Sequence, residues 1–193
     1  MLKDLILKNR SYRRFFQTRK ITEMQLREWV DLARNSASAR NAQPLKYVLC
    51  VDESINAEVF ETLSWAGYLP TWPGPDEGER PSAYVIMLFD TAIPGNYLCD
   101  DGIATQSILL GAVEAGFGGC IIYSVNRKRL REILDLSEQY EIIQVLALGK
   151  PKEAVVLEVM KDGEVKYWRD EDRVHHVPKR PLNEVIVKVK SRK

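Results

Sequence analysis

Residues 100–125 read D-D-G-I-A-T-Q-S-I-L-L-G-A-V-E-A-G-F-G-G-C-I-I-Y-S-V, and their order decides the fold. From 103 to 115 the pattern is helical. Leu109, Leu110 and Val113 alternate with Ala104, Ser107, Gly111, Ala112 and Ala115, so apolar or small residues surround the axis. Such a helix is buried on most of its faces. Its small side chains admit a neighbouring helix or a ligand, and tight core packing alone accounts for them as well. Gly116-Phe117-Gly118-Gly119 then ends the helix, because glycine accepts positive φ and lets backbone lie against a flat or bulky group. Cys120-Ile121-Ile122-Tyr123 follows as a short β-branched strand. Buried helix, glycine turn and strand together make a candidate cofactor wall, although three glycines in four residues also suit a loop with no ligand.

The whole chain bounds what this wall can serve. Its 193 residues suffice for one domain with a substantial core or at most two small ones. The formal net charge of +1 provides no global field toward nucleic acid or membranes, so an anion site must come from local basic groups. No apolar run reaches membrane-spanning length, and the first ten residues lack a signal-peptide core. Cys50, Cys99 and Cys120 have no C-x-x-C spacing, and a cytoplasmic protein is expected. His175 and His176 are the only histidines, and adjacent positions in an extended segment point to opposite sides. They offer poor material for a zinc site or a catalytic triad, and no metal is expected. Phosphate-binding G-x-x-x-x-G-K-[ST] and G-x-G-x-x-G patterns are missing. Chemistry, if present, is then carried by an organic cofactor rather than by side chains.

Ahead of the deciding stretch, residues 1–9 suit a short amphipathic helix. Arg10, Ser11, Arg13 and Arg14 form a compact basic cluster. Guanidiniums grip phosphate in a bidentate manner, and a hydroxyl adds a donor; a solvated basic loop is the alternative. Thr22-Glu23-Met24-Gln25 fits a capping box for a helix to about Asn35, with Leu26, Trp29, Val30 and Ala33 on one face. A polar loop, S-A-S-A-R-N-A-Q-P, leads to a strand over 46–52.

These motifs resemble the FMN-dependent nitroreductase family. That family has R-R-S-x-R-x-F near its N-terminus and P-S-x-x-N-x-Q-P-W some thirty residues later. Arg10, Ser11 and Arg13 match the first motif; Ser38, Asn41, Gln43 and Pro44 match the second. Asn9, Ala37 and Leu45 stand where the family has arginine, proline and tryptophan. The resemblance implies that the matched residues contact the phosphate, ribityl chain and ring edge of FMN. It continues through Asp101, Ala104 and Ala115–Cys120, and through Leu148-Gly149-Lys150-Pro151. By family spacing, the backbone N–H of Tyr123 or Ser124, following Ile122, is the donor to flavin N5. A fixed donor there stabilises developing charge. Lys179-Arg180-Pro181-Leu182 resembles the closing basic motif that returns to the phosphate.

Other segments are read from their residues. A helix is expected over 54–64. Residues 65–82 exceed the loop length of about 12–15 that marks functional or unstructured connections, and they carry Trp65, Tyr68 and Trp72 as candidates for a substrate-facing lid; surface packing is the alternative. A strand is expected over 83–90, a helix from Asn126 over 127–134 and a core strand over 141–148. Asp162-Gly163 predicts a hairpin spanning about 155–168. Val185–Lys190 alternates as an edge strand within a tail of about 181–193.

The resemblance implies a single α+β domain, residues 1–193: a nitroreductase-like sandwich with a central mixed, mainly antiparallel sheet flanked by helices, and a C-terminal tail exchanged between the subunits of a homodimer. It implies an FMN oxidoreductase that takes hydride from NADH or NADPH and passes electrons to a nitroaromatic, quinone or related small acceptor in a ping-pong cycle. The same scaffold hosts dehalogenation, heterocycle dehydrogenation and flavin destruction, and fold alone does not choose among them. A non-catalytic flavin-binding or redox-sensing module and a colourless structural dimer are the alternatives from other classes.

Overall fold

In the computed structural model, which describes residues 1–191, two layers of helix enclose a four-stranded sheet. The chain runs α1 (Leu2–Lys8), α2 (Glu23–Arg34), a 3₁₀ turn (Ala39–Asn41), β1 (Leu45–Cys50), α3 (Glu53–Phe60) and β2 (Ala83–Asp90). It continues through α4 (Asp100–Glu114), β3 (Gly118–Ile122), α5 (Arg127–Ile133) and β4 (Tyr140–Gly149). It ends with β5 (Val155–Val159), β6 (Trp168–Arg169), β7 (His175–Lys179) and α6 (Leu182–Val185). None of the described helices is long and apolar enough to cross a membrane.

The main sheet has the order β1-β2-β4-β3, with every neighbouring pair antiparallel. Side chains alternate across a strand, so β2 feeds two cores. Ala83, Val85 and Met87 join Leu26 and Trp29 of α2 and Ile108 and Leu109 of α4. Tyr84, Ile86 and Leu88 join Val59 of α3 and Leu130 of α5 on the other face. Burial on both faces explains why A-Y-V-I-M-L-F-D shows no polar alternation.

The expected start signals form. Thr22 Oγ1 accepts from Gln25 N at 3.2 Å, and Gln25 Oε1 accepts from Thr22 N at 3.0 Å. The end of α4 closes as a Schellman motif: Gly116 at φ 78° donates to Val113 O (3.0 Å), and Phe117 N donates to Ala112 O (2.8 Å). The small residues of α4 are explained by a helix. A Cβ on Gly111 would lie 2.6 Å from Leu32 Cδ1 and 3.0 Å from Trp29 Cδ1, both on α2.

The expected antiparallel sheet flanked by helices forms; all four of its strands run antiparallel, and the parallel pairing lies in a second, three-stranded sheet. Three expectations are corrected. The hairpin over 155–168 does not form. Its turn does, with Asp162 and Gly163 at φ 51° and 75° and Glu164 N donating to Lys161 O at 2.9 Å. The flanking strands, however, both pair with β7: β5 runs parallel to it and β6 antiparallel on its other side. His176 on β7 bonds Glu158 on β5 (2.5 Å) and Asp170 just past β6 (2.9 Å), and stacks on Trp168, which fixes this order. Turn chemistry reverses the chain locally but does not choose the strand partner. Finally, the tail shows α6 and then no strand in the described residues; residues 192–193 of the expected tail lie outside the described residues. The third helix is also shorter than expected, ending at Phe60.

Candidate functional site

The basic segment after α1 is laid along β3. Ser11 pairs with Gly119, and Tyr12 N donates to Gly119 O at 3.0 Å. The approach requires a bare backbone: a Cβ on Gly118 would sit 2.7 Å from the Tyr12 ring. Beyond Tyr12, the fully buried carboxylate of Glu153 accepts the backbone N–H of Arg13 and that of Arg14 (3.2 Å), and Arg169 Nη2 donates to it at 3.1 Å. Three donors replace the water that burial removes from this carboxylate.

This anchor sends the two arginines in different directions. Arg14 is buried and forks onto Glu79, which Lys152 also approaches at 2.8 Å. The Arg14 hydrogen bonds hold the Glu79 carboxyl down to about 2. Arg14 is therefore engaged structurally. Arg13 instead lies 4.9 Å over the Tyr167 ring and places Nη1 3.4 Å from His175 Nε2.

Two adjacent cavities meet at Arg13 and Tyr167, which line both. One, of about 230 Å³, is lined by Asn9, Arg10, Ser11, His175 and Lys179. The other, of about 320 Å³, is lined by Trp65, Ala66, Ile122, Tyr123 and Ser124. The first is a cationic end: Arg10, Arg13 and Lys179 face it, and Arg10 Nε is buried without a partner. His175 is 1% exposed, and burial, reinforced by Arg13, Arg169 and His176, pushes it down to about 4. It is neutral at pH 7. With Nε2 facing a guanidinium donor, its proton is assigned to Nδ1, which is buried and unpartnered. The second cavity is lined along one side by Cys120–Ser124. There Tyr123 donates its hydroxyl to Asp101 at 3.1 Å, and Ser124 O accepts from Ser64 N at 2.9 Å.

The structure thus gathers Arg10, Ser11, Arg13, Ile122, Tyr123, Ser124, Lys179 and Trp65 around one groove. The other expected residues lie elsewhere. Ser38 donates to Asp100 Oδ2 at 2.6 Å and accepts from Gln43 N at 2.9 Å, while Gln43 Nε2 reaches Asn41 Oδ1 at 3.1 Å. None of the three lines the groove; Ser38 and Gln43 line a separate cavity of about 440 Å³ between α2 and β1. Their loop is strained, with Arg40, Asn41 and Gln43 at φ 52–54°. Arg180 turns to Glu184 at 3.4 Å. Tyr68 packs at a tilt against Tyr167 and Trp72 lies beneath Arg169, both outside the residues that line the cavities.

Glu153, Tyr167, Arg169 and His175 were not singled out as site residues from the sequence. A lone glutamate in K-P-K-E-A carries no signal; only the fold brings it to Arg13, 140 positions away. The histidine pair does split across β7, with His175 inward and His176 toward Glu158 and Asp170.

A family model described as nitroreductase matches residues 96–150, which span α4, β3, α5 and β4. A nitroreductase family protein from Streptococcus pneumoniae superposes at a TM-score of 0.70, with 15% identity, over 98% of this chain and 100% of its own. The fold is that of nitroreductases. An FMN-dependent nitroreductase from Clostridium difficile shares it at a TM-score of 0.62, with 18% identity over 87% of this chain and 92% of the other. In sequence, a protein of Archaeoglobus fulgidus provisionally named NADH dehydrogenase/NAD(P)H nitroreductase is 26% identical over 148 residues, 72% of this chain and 80% of that protein. The nitroreductase resemblance therefore holds in the α4–β4 sequence and across the fold.

Proposed function

We propose that this nitroreductase-like chain binds FMN in the groove and acts as an NAD(P)H-dependent oxidoreductase on a nitroaromatic, quinone or related small acceptor. The observation that carries the reading is the pairing of a cationic cavity, with a buried unpartnered Arg10 Nε, and an adjoining cavity lined by Cys120–Ser124 at the end of β3. This donor set fits a phosphorylated flat ligand. The names of the Archaeoglobus fulgidus and Clostridium difficile relatives support NAD(P)H as donor and FMN as cofactor.

The residues divide the work. Arg10, Arg13 and Lys179 neutralise a phosphate of about −1.5 to −2 charge, with Ser11 as a further donor. Arg180 joins them only by leaving Glu184. The backbone N–H of Tyr123 or Ser124 serves as the fixed donor at the ring edge, where orientation matters more than acid–base chemistry. Trp65, Tyr68 and Trp72 shape the acceptor side. FMN, when bound, supplies the hydride and electron chemistry that no side chain here supplies.

A homodimer completes the arrangement. Ser38, Asn41 and Gln43 lie outside the groove of their own chain, and a second copy brings them to it. Between 182 and 189 the tail leaves Leu182, Val185, Ile186, Val187 and Val189 exposed, which supports its exchange between subunits. The chain works as a single domain, and its three free cysteines suit a reducing compartment such as the cytoplasm.

The test is the visible spectrum of purified protein incubated with FMN, before and after anaerobic NADH or NADPH. The expected result is a retained yellow chromophore that bleaches and recovers with an acceptor. Retention without bleaching favours a binding or sensing module, and a colourless protein removes the flavin reading.

A further inference from the structure

Residues 167–169 touch both the arginine grip and the 65–82 loop. Tyr167 lies under the Arg13 guanidinium at 4.9 Å and against the Tyr68 ring at 5.0 Å, and its hydroxyl accepts the Tyr68 N–H at 3.4 Å. Arg169 donates to Glu153 at 3.1 Å, and its guanidinium lies 4.0 Å over the Trp72 ring. Positions 167 and 169 share one side of an extended segment, while Trp168 between them stacks on His176. Each of the two side chains therefore has one contact with the grip and one with the loop.

The chemistry of these contacts matters as much as their placement. Glu153 holds the backbone of Arg13 and Arg14, so Arg169 reaches the grip through the same carboxylate. A buried ion pair is often no more stabilising than a packed apolar pair, so stability alone is a weak reason for Arg169. Its planar face on Trp72 gives it a second role, because guanidinium stacks where an ammonium does not. The other end of the loop is fixed, with Glu79 forked by Arg14 and Phe15 N donating to Glu79 O at 2.9 Å. The stretch that carries Tyr68 and Trp72 meets the grip through Tyr167 and Arg169.

We propose that Tyr167 and Arg169 are positioning residues that couple the 65–82 loop to the arginine grip, so that a phosphate held by Arg10 and Arg13 tightens the loop carrying Tyr68 and Trp72. This rests on the flavin reading for its ligand. By linkage, what fixes the loop also strengthens phosphate binding. An acceptor would then meet a set loop only when the anion end is filled.

The experiment is limited chymotryptic cleavage at Tyr68 and Trp72 of the full chain, alone, with FMN, and with inorganic phosphate. Phosphate is the decisive probe, since it fills the anion end without touching the loop. Direct titration of both ligands is run beside it. In the wild type, both ligands should slow cleavage by about fivefold or more. Arg169→Lys keeps a charge on Glu153 but offers no planar face; it should still bind FMN, with protection reduced to under about twofold. Trp72→Leu leaves the buried pair intact and should lose protection at Tyr68 in the same way, which covers the case in which Arg169→Lys fails to fold. Wild-type binding without protection by phosphate, or full protection in either folded variant, overturns the coupling. If the wild type binds neither ligand, the flavin reading fails first and the coupling falls with it.

Discussion

His175 and His176 are neighbours with opposite electrostatics, and their pH effects have opposite sign. The folded pKa of His175, about 4, lies below the ordinary value of 6.5 because burial disfavours its charged form. As pH falls from about 6.5 to about 4, the unfolded chain takes up a proton that the folded chain refuses, so stability is lost over that window, by about 3 kcal/mol at most. His176 is raised instead, by its hydrogen bonds to Asp170 and then to Glu158. The stability it lends is complete below pH 6.5 and lost as pH rises through its folded value. Denaturant midpoints measured across this range should flatten on the acid side in His175→Gln and on the alkaline side in His176→Gln; an unchanged acid slope in the first would assign the proton elsewhere. The basic residues are separable too. Arg10→Ala removes a buried, unpartnered donor and should weaken FMN binding by about 10–100-fold, the worth of a charged hydrogen bond. Arg180→Ala, whose guanidinium faces Glu184, should weaken it less. Equal loss in flavin titrations of both would mean that Arg180 leaves Glu184 in the bound state. At this scale the sequence marks the arginines by motif, whereas Glu153 and Tyr167 become visible only through their spatial partners.

The elements were legible where local chemistry is sufficient. The Thr22 capping box, the Asp162-Gly163 turn and the glycine end of α4 all form as read, because each depends on residues within a few positions. What the small face of α4 packs against was not legible, since a helix and a ligand ask for the same side chains; the answer is α2, at Gly111. Gly118 is required by the Tyr12 ring. Gly118→Val should destabilise by about 1–3 kcal/mol through overpacking, and combining it with Tyr12→Ala should recover part of that loss, since the two sites are in contact. Thermal melts of the single and double variants check this, and strict additivity would place the clash elsewhere. The failed hairpin teaches the same division: its turn is local, but the partners of β5 and β6 are chosen by β7 and the side chains on it.

For the whole molecule, the unanswered surface is the tail. Val187 and Val189 are 97% and 79% exposed in a single chain. Truncation after Leu182 should loosen the proposed homodimer, read as a shift to monomer in sedimentation at low concentration; an unchanged dimer would rule out the embracing tail. Because Ser38, Asn41 and Gln43 stay outside their own groove, the same truncation should also weaken FMN binding, measured by fluorescence titration, if the second copy delivers them. Neither effect is expected of a groove complete within one chain.

By itself, the sequence determined what depends on neighbours along the chain: the helices and their caps, the buried strands, the glycine turn before β3 and the basic motif at Arg10–Arg13. It also carried the nitroreductase resemblance, because that resides in ordered motifs. The tertiary structure alone decided which residues share a cavity. It placed Lys179 beside Arg10, moved Arg14 out of the grip to Glu79, and set a buried glutamate under Arg13. These groups come together across 65–169 positions, and the energies involved come from desolvation and charge in three dimensions, which no local pattern encodes.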